Sequence, residues 1–228
     1  MSDVALVVMA RYPEKGKVKT RLARSIGEEK TLRLYQAFLT DLAWRFANWT
    51  CCRLHWAYTP SEVDFNAFIA GLASLDASSM SSFPQEGPDL GTRLLQAFRF
   101  TQARQFARTV LIGSDSPHVS RAIITQAKQA LDSADVVLGP AEDGGYYLIA
   151  MKEPHDLFSD IPMSTDMVLQ MTIEKARQQG LSVRLLEPLF DVDELPELLR
   201  LAQLLQEHSY LAMATAAQLA QLKKESKL

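Results

Sequence analysis

The sequence is poor in cysteine, in long apolar runs and in net charge. Its 228 residues include two cysteines, Cys51 and Cys52, which are adjacent and therefore poorly placed to bridge distant elements. With 24 Lys and Arg against 27 Asp and Glu, the net charge of −3 excludes the pervasive basic surface of a nucleic-acid-binding protein. No apolar run approaches the roughly 20 residues of a membrane-spanning helix, so we expect no membrane span.

The amino-terminal residues and the thiols predict a location. Ser2 and Asp3 lead directly into the apolar residues 4–10, without the basic segment of a secretory signal peptide. Two thiols with no CxxC motif and no zinc-site spacing are typical of free cysteines in a reducing compartment. We therefore expect a cytoplasmic protein.

Apolar runs alternate with helical patterns along most of the chain. Buried strands are predicted at residues 4–9, 52–58, 109–113, 135–139, 147–151 and 182–186, with one short strand inside a loop at 76–88. Helices are predicted at 28–46, at 61–75 and at 165–179, and in the tail at 194–206 and 211–224. Two more are predicted with one limit each: one that begins at about residue 89, and one that follows the strand at 109–113 and ends at residue 131. This order predicts a single-domain α/β fold, a mostly parallel doubly wound sheet with a C-terminal helical tail. Ligands bind such sheets at the carboxyl ends of the strands, so the loops there are the candidate sites.

The loop after the first strand is crowded with positive charge. Within residues 11–24 there is one acid, Glu14, and there are six cations: Arg11, Lys15, Lys17, Lys19, Arg21 and Arg24. An anion that neutralises these repelling charges explains the crowding best, and Gly16 would let the backbone approach phosphate oxygens. The loop is no Walker A motif, because Val18 replaces the Ser or Thr that would hold Mg²⁺. The alternative is an ordinary solvated charged loop.

Carboxylates follow two other predicted strands. Asp115 stands in Gly-Ser-Asp-Ser-Pro at residues 113–117, and Asp191 and Asp193 stand in Asp-Val-Asp. Asp115 and Asp191 on neighbouring strand ends would form a two-carboxylate Mg²⁺ site, with Asp193 as a further candidate ligand. The alternatives are that Asp115 only shapes a turn and that Asp193 only caps the last helix.

A glycine-rich connection lies between two predicted strands. Asp143, Gly144 and Gly145 are typical of a hairpin turn. Alternatively, Gly144 and Gly145 expose backbone to a ligand, with Tyr146 beside it.

Taken in order, these motifs resemble those of a known family. They are Lys-Thr-Arg-Leu at residues 19–22, Gly-Pro-Asp-Leu-Gly at 87–91, Gly-Ser-Asp-Ser-Pro at 113–117, Glu-Asp-Gly-Gly-Tyr-Tyr at 142–147 and Asp-Val-Asp at 191–193. The set is similar to the radical-SAM/selenodomain-associated transferases of the nucleotide-diphospho-sugar transferase superfamily, which have the GT-A fold. The first loop also resembles that of phospholactate guanylyltransferases.

The resemblance, over roughly residues 3–200, implies where the substrates bind. It implies a nucleotide at the amino-terminal half of the sheet, with Gly91 among its contacts, and Mg²⁺ or Mn²⁺ at Asp115 with Asp191. The acceptor would lie near Gly144, Gly145, Tyr146, Ser164 and Thr165, although Met163 stands where the family commonly has Trp. We expect a nucleotide-diphospho-sugar transferase-like domain at residues 1–208 and a helical extension at 209–228, which would serve as an oligomer or partner surface.

These inferences lead to one hypothesis with two alternatives. The chain would be a Mg²⁺-dependent transferase that moves a nucleotidyl group from an NTP to a small phosphorylated acceptor, with Asp115, Lys19 and Arg21 as the catalytic residues. Lys15, Lys19 and Arg21 would offset the charge that builds on the leaving group. The alternatives are a glycosyltransferase that uses an NDP-sugar, and a non-catalytic nucleotide-binding protein.

Overall fold

A computed structural model describes residues 3–163 and 165–226 of the chain. Seven strands form one sheet: β1 Val4–Arg11, β2 Arg53–Thr59, β3 Ser81–Pro84, β4 Arg108–Gly113, β5 Val136–Pro140, β6 Tyr146–Met151 and β7 Val183–Leu185. Eight α-helices accompany them in the described ranges: α1 Thr20–Ile26, α2 Glu28–Phe46, α3 Phe65–Ala73, α4 Leu90–Ala103, α5 Arg121–Ala130, α6 Val168–Gln178, α7 Leu195–Glu207 and α8 Met213–Ser226. The predicted α/β class is confirmed.

The sheet is parallel except for one strand. Its order is β3-β2-β1-β4-β6-β5-β7. β1 pairs in parallel with β2 and β4, β2 with β3, and β5 with β7, whereas β6 runs antiparallel to both β4 and β5. The sheet is therefore mostly parallel, as predicted, and the ends of β1, β4, β5 and β7 share one edge with the start of β6.

Alternating side chains of the strands build two cores, one on each face of the sheet. In β1, Leu6 and Val8 pack in the first core and Val7 and Met9 in the second. The first core is covered by α2, α3, α5 and α7, and the second mainly by α4 and α6. Both faces of β1 are thus buried, which explains its continuous apolar sequence.

The C-terminal helix α8 is attached to α2 by a buried carboxylate. Asp41 on α2 accepts hydrogen bonds from the backbone N–H groups of Ala214 and Thr215, each at 2.8 Å, and from the Thr215 hydroxyl at 2.6 Å. These contacts satisfy donors that the first turn of a helix leaves unpaired. At the other end of α8, Glu225 forms a bidentate pair with Arg33 on α2. The tail is therefore packed onto the domain at both of its ends.

Candidate functional site

The loops at the carboxyl edge of the sheet are joined to one another. The Val192 N–H donates to the Asp115 carbonyl at 3.0 Å, and the Ser116 hydroxyl donates to the Phe190 carbonyl at 3.1 Å and to the Asp191 carboxylate. The segments that carry Asp115 and Asp191 therefore lie side by side. The two aspartates are therefore brought together, but they do not stand on neighbouring strand ends as expected. β7 ends at Leu185 and is separated from β4 by β6 and β5, and the segment after β7 returns to bring Asp191 beside Asp115.

Lys19 brings the cationic loop to the same place. Its Nζ lies 2.6 Å from Asp115 Oδ1 and 2.7 Å from Asp193 Oδ1. The Lys19 side chain is only 6% exposed, whereas those of Asp115 and Asp193 are 44% and 43% exposed. Burial alone would lower the pKa of Lys19, but the carboxylates of Asp115 and Asp193 outweigh it and raise the pKa above its usual value. Lys19 is thus a fixed positive charge between two carboxylates that come from distant parts of the chain.

The backbone of Lys19 is itself unusual. Lys19 precedes α1 with φ 47° and ψ 47°, the left-handed conformation that residues other than glycine rarely adopt. The conformation costs of order 1 kcal/mol, which the ion pairs with Asp115 and Asp193 help to offset. Rare backbone conformations of this kind concentrate at functional sites.

Asp191 is the carboxylate with the most perturbed acidity. Burial raises its pKa from 3.8 to about 7, and the negative charge of Asp115 contributes in the same direction, while the hydrogen bond from Ser116 opposes the shift. Two carboxylates held near each other are unfavourable when both are ionised. A bound cation would relieve that cost.

A divalent ion is compatible with Asp115 and Asp191. Mg²⁺ is usually held by one or two carboxylates together with waters and substrate phosphates, and these two side chains supply hard oxygen donors of that kind. Across residues 3–163 and 165–226, however, no three His, Cys, Asp or Glu side chains are grouped so as to hold a metal ion. Asp193, the third predicted ligand, is paired with Lys19 instead. The metal site stays a prediction, centred on Asp115 and Asp191.

The predicted alternative that Asp193 caps the last helix is not observed, whereas the alternative that Asp115 only shapes a turn stays a prediction. Helix α7 begins after Glu194, whose N–H donates to the Glu197 carboxylate at 3.1 Å, so Asp193 does not cap that helix. Helix α5 is capped by Ser120, which accepts from the Ile123 N–H at 3.3 Å. Asp115 is therefore free of a capping role.

A cavity of about 330 Å³ opens beside Lys19. Its lining residues are Arg11, Lys17, Val18, Lys19, Thr20, Arg21, Tyr35, Ser114, Asp115 and Asp193. Four of these are cations, so the cavity has the charge that the phosphates of a nucleotide require. We call it the cationic cavity.

Tyr35, a buried residue of α2, lines this cavity although the sequence analysis did not identify it as a site residue. Its hydroxyl accepts from the Arg11 N–H at 3.1 Å and lies 3.0 Å from the Ser114 hydroxyl. Burial, together with the charge of Asp115, raises its pKa. Tyr35 thereby connects the end of β1 to the loop after β4. The sequence could have indicated this role, because a tyrosine on a buried helix face needs a hydrogen-bond partner for its hydroxyl.

Lys15 and Gly16 lie away from the cationic cavity. Lys15 Nζ is 3.4 Å from Glu29, and a Cβ added to Gly16 would lie 3.3 Å from the Glu28 carboxylate. Lys17 lines the cavity and also pairs with Glu14 at 2.5 Å. Carboxylates of the protein thus compensate Lys15, Lys17 and Lys19, so the crowding of positive charge does not by itself require an external anion. The assignment of Lys15 and Gly16 to phosphate binding stays a prediction without a contact to support it.

A second cavity of about 520 Å³ adjoins the first. Its polar lining residues include Arg21, Ser114, Asp115, Asp143, Gly145, Tyr146, Thr165, Asp166, Asp191 and Asp193. Its apolar lining comes from Met9, Leu90, Leu94, Leu111, Leu148, Met163 and Val168. We call it the acidic cavity. Gly145, Tyr146 and Thr165, three of the predicted acceptor residues, line it.

Gly144 has a packing role instead. The turn between β5 and β6 is a hairpin, as one interpretation of the sequence held, with the Gly144 N–H donating to the Ala141 carbonyl at 3.2 Å. Gly144 has φ +91°, and a Cβ there would overlap with the Asp166 carbonyl oxygen. Glycine is therefore required so that the segment around Asp166 can pack on the hairpin. Ser164, the remaining predicted acceptor residue, lies outside the described residues.

Gly91 is likewise explained by packing. It lies in the first turn of α4, where an added Cβ would be 3.1 Å from both the Cβ and the carbonyl oxygen of Phe158. Gly91 is absent from the lining of the cationic and acidic cavities. The contact predicted between Gly91 and the nucleotide therefore stays a prediction.

The sheet order, with the two cavities at its carboxyl edge, is that of the nucleotide-diphospho-sugar transferase fold. A solved structure from Desulfovibrio desulfuricans G20, provisionally named a nucleotide-diphospho-sugar transferase, superposes with a TM-score of 0.88 at 32% identity, covering 99% of this chain and 98% of that one. The chain belongs to the DUF2064 family, described as an uncharacterized protein conserved in bacteria, whose profile matches residues 42–165. The resemblance to nucleotide-diphospho-sugar transferases is confirmed, whereas the radical-SAM association stays a prediction.

Two further relatives extend the comparison. The 2-phospho-L-lactate guanylyltransferase of Methanothermobacter thermautotrophicus is 27% identical over 187 residues, which are 80% of this chain and 75% of that protein. A cytidylyltransferase from Leptospira borgpetersenii matches with a TM-score of 0.52 at 14% identity, covering 85% of this chain and 79% of that one, and shows the fold alone. In the described part of the chain, no helix has the length and apolar content to cross a membrane.

Proposed function

We propose that this protein is a divalent-metal-dependent nucleotidyltransferase, which transfers the nucleotidyl group of an NTP to a small acceptor. The observation that carries the proposal is the contact of Lys19 with Asp115 and Asp193 between the cationic and acidic cavities. The name of the guanylyltransferase relative supports nucleotidyl transfer, and also the phosphorylated acceptor that the sequence analysis expected.

Each side chain has a distinct role in this proposal. Arg11, Lys17, Lys19 and Arg21 would bind the triphosphate in the cationic cavity, where their charges favour the departing pyrophosphate. Asp115 and Asp191 would hold the divalent ion, which when bound neutralises phosphate charge. Tyr35 would keep the end of β1 and the Ser114 loop in position. Catalysis would then consist of positioning and charge neutralisation, without a protein nucleophile.

Arg21 connects the two substrates. It lines the cationic cavity, the acidic cavity and a third cavity of about 410 Å³, and within the described residues it forms no ion pair. An unpaired guanidinium at this junction is suited to phosphate oxygens at the point of transfer. We therefore assign Arg21 to the reacting phosphates rather than to the base or the sugar.

The test is a substrate panel with two readouts. ATP, GTP, CTP and UTP are each supplied with Mg²⁺ and a panel of phosphorylated and hydroxylated acceptors, and pyrophosphate release is followed. A parallel panel of NDP-sugars is followed by nucleoside diphosphate release. We expect pyrophosphate release with at least one NTP, lost in the Asp115→Ala variant. Nucleoside diphosphate release without pyrophosphate would instead establish glycosyl transfer, and nucleotide binding without turnover would establish a non-catalytic binder.

Two predictions on the protein's surroundings accompany this proposal. We expect it to act in the cytoplasm, and we expect α7 and α8 to supply any contact between copies of the chain. Neither prediction affects the chemistry proposed for the cavities.

A further inference from the structure

The cationic and acidic cavities differ sharply in charge although they share residues. The cationic cavity is lined by four cations and by two carboxylates, Asp115 and Asp193. The acidic cavity is lined by one cation, Arg21, and by five carboxylates. If the triphosphate occupies the first, the second is left for the acceptor, and its charge selects what the acceptor can carry.

The carboxylates of the acidic cavity are not all neutralised from within. Lys19 pairs with Asp115 and Asp193, whereas Asp143 and Asp166 form no ion pair with any cation in the described ranges. Among the residues that the structure describes, the Asp143 carboxylate accepts a hydrogen bond only from the Gly145 N–H, at 2.9 Å. The nearby Arg200 is occupied by Glu142, at 2.5 and 2.9 Å. With Asp115 and Asp191 assigned to the divalent ion and Asp193 paired with Lys19, the negative charge left for the acceptor is that of Asp143 and Asp166.

The fold joins the backbone segments that carry Asp143 and Asp166. The backbone of Asp166 packs so tightly against Gly144 that an added Cβ would overlap with its carbonyl oxygen. The Leu169 N–H donates to the Gly144 carbonyl at 3.0 Å, which holds the same two segments together. Two unpaired carboxylates that line one cavity from joined segments would attract a positively charged ligand group.

The apolar side chains of the lining indicate which nonpolar part the ligand has. Leu94, Leu111 and Leu148 belong to an apolar part of the cavity, which suits a hydrocarbon face. Tyr146 also lines the cavity, but its hydroxyl is buried near Thr172, a residue outside the lining, so it is the ring rather than the hydroxyl that adds to the cavity wall.

From the cavity's apolar wall and its unpaired Asp143 and Asp166, we infer that the acceptor is an amine-bearing alcohol and not a phosphorylated compound. This inference rests on the proposed nucleotidyl transfer and revises the acceptor expected from the sequence. The acceptor's ammonium would lie at Asp143 and Asp166, and its hydrocarbon part against the leucines. Its hydroxyl would face the junction at Arg21.

The transfer balances without a further reactant. The acceptor hydroxyl oxygen forms a bond to the α-phosphorus of the NTP, and the bond from that phosphorus to the oxygen bridging to the β-phosphorus breaks. The products are a nucleotidyl phosphodiester and pyrophosphate, and the hydroxyl proton passes to solvent. The ammonium group takes no part in the bond changes and serves only for recognition.

The test uses acceptor probes that share a skeleton and differ in charge. One series is glucosamine, glucose and glucose 6-phosphate, and the other is phenylalaninol, 3-phenylpropanol and 3-phenylpropyl phosphate. Binding to the full chain is measured by saturation-transfer NMR and calorimetry, with and without a non-hydrolysable NTP. We expect the amine of at least one series to bind about tenfold more tightly than its neutral counterpart, and the phosphate to bind most weakly. Equal or tighter binding of the phosphates, or no binding of either amine, would overturn the inference.

Variants show whether the cavity causes the preference. Asp143→Asn with Asp166→Asn should abolish the preference for the amine while donor affinity changes less than twofold, because the amide oxygen introduced at position 143 can still accept the Gly145 N–H. The control is Asp132→Asn, at the opposite edge of the sheet beside Arg108, which should retain the preference. A preference that survives in the double variant would contradict the assignment.

The outcomes also separate this inference from the proposed function. Amine binding that depends on Asp143 and Asp166, without pyrophosphate release from any NTP, would support the acceptor class and refute nucleotidyl transfer. Pyrophosphate release with phosphorylated acceptors alone would support nucleotidyl transfer and refute the acceptor class.

Discussion

Lys19 Nζ lies 2.6 Å from Asp115 Oδ1, so the cationic loop after β1 and the carboxylate after β4 are in direct contact. The same ammonium lies 2.7 Å from Asp193, which is 174 residues further along the chain. A positive charge thus stands beside the proposed metal ligand. In the proposed function, phosphate binding and metal binding would therefore be coupled through one side chain, and substitutions on either side should affect both.

Asp115→Ala should abolish metal-dependent turnover while leaving the fold largely intact. The Asp115 side chain is 44% exposed, so its removal leaves no buried cavity. Loss of a group that stabilises the reacting phosphates typically costs about 100-fold or more in rate. Pyrophosphate release measures the effect and thermal unfolding checks the fold. Asp132→Ala, at the other edge of β4, is the matched control, and full activity in Asp115→Ala would remove Asp115 from the mechanism.

Lys19→Met should weaken nucleotide binding by about tenfold and reduce its dependence on salt. The substitution removes the buried charge that faces the cationic cavity and leaves an aliphatic chain of similar length in place. Calorimetric titration with a nucleotide at two salt concentrations measures both effects. Lys128→Met, on α5 and remote from the cavity, should leave them unchanged. An unchanged nucleotide Kd in Lys19→Met would make Lys19 only a structural partner of Asp115 and Asp193.

The strands, most helices and the edge that carries the site were predictable because local patterns encode them. Helix α2 was predicted at its observed limits, since its apolar residues recur every three and four positions. The position of Asp115 followed from the rule that parallel strands end at one edge. Asp191 was expected at the end of a neighbouring strand, but it lies beyond β7 in a segment that returns to Asp115. These features depend on the periodicity of apolar residues and on the order of strands and helices, and both can be read from a single sequence.

Contacts between distant residues were not predictable. The loop after β1 was interpreted as a crowd of six cations with one acid, yet Lys15 pairs with Glu29 on α2, outside the loop. Lys17 pairs with that one acid, Glu14, and α1 begins within the loop. Nothing in the local pattern around Lys19 indicates a left-handed backbone or a partner 174 residues away. The antiparallel direction of β6 was contained only in the hairpin interpretation of residues 143–145, because a strand buried on both faces has the same apolar sequence in either direction.

Asp191 should make the protein less stable as the pH rises from about 4 to about 7. Its pKa is raised by burial from 3.8 to about 7, so over this range the folded state holds a proton that the unfolded state has released. Because the folded state then binds more protons, the free energy of unfolding falls with pH, by at most about 1.4 kcal/mol per unit. Asp191→Asn should flatten this dependence.

Urea unfolding at pH 5, 6 and 7 in EDTA measures this slope in the native protein and in Asp191→Asn. Asp143→Asn serves as the control, because it removes an exposed carboxylate of the same cavity. Parallel slopes in the native protein and the Asp191→Asn variant would show that Asp191 ionises normally.

Asp41→Ala should destabilise the protein by about 2–3 kcal/mol, because two backbone N–H groups and the Thr215 hydroxyl lose a buried charged acceptor. For a chain of this size the thermal midpoint should fall by about 5–10 °C. Glu225→Ala, which removes the exposed pair with Arg33 at the other end of α8, should leave the midpoint nearly unchanged. Similar midpoints for the two variants would show that Asp41 does not anchor α8.

Gly144→Ala and Gly180→Ala form a matched pair that separates backbone strain from loss of the acidic cavity's wall. Both glycines have positive φ, +91° and +73°, so alanine at either position costs of order 1 kcal/mol. An added Cβ meets nothing within 4 Å at Gly180, whereas at Gly144 it would overlap with the Asp166 carbonyl oxygen. Only Gly144→Ala should therefore displace the segment around Asp166 and weaken acceptor binding, with nucleotide affinity retained. Calorimetry with acceptor and nucleotide in both variants measures this, and equal acceptor affinities would mean that the contact between Gly144 and Asp166 does not shape the cavity.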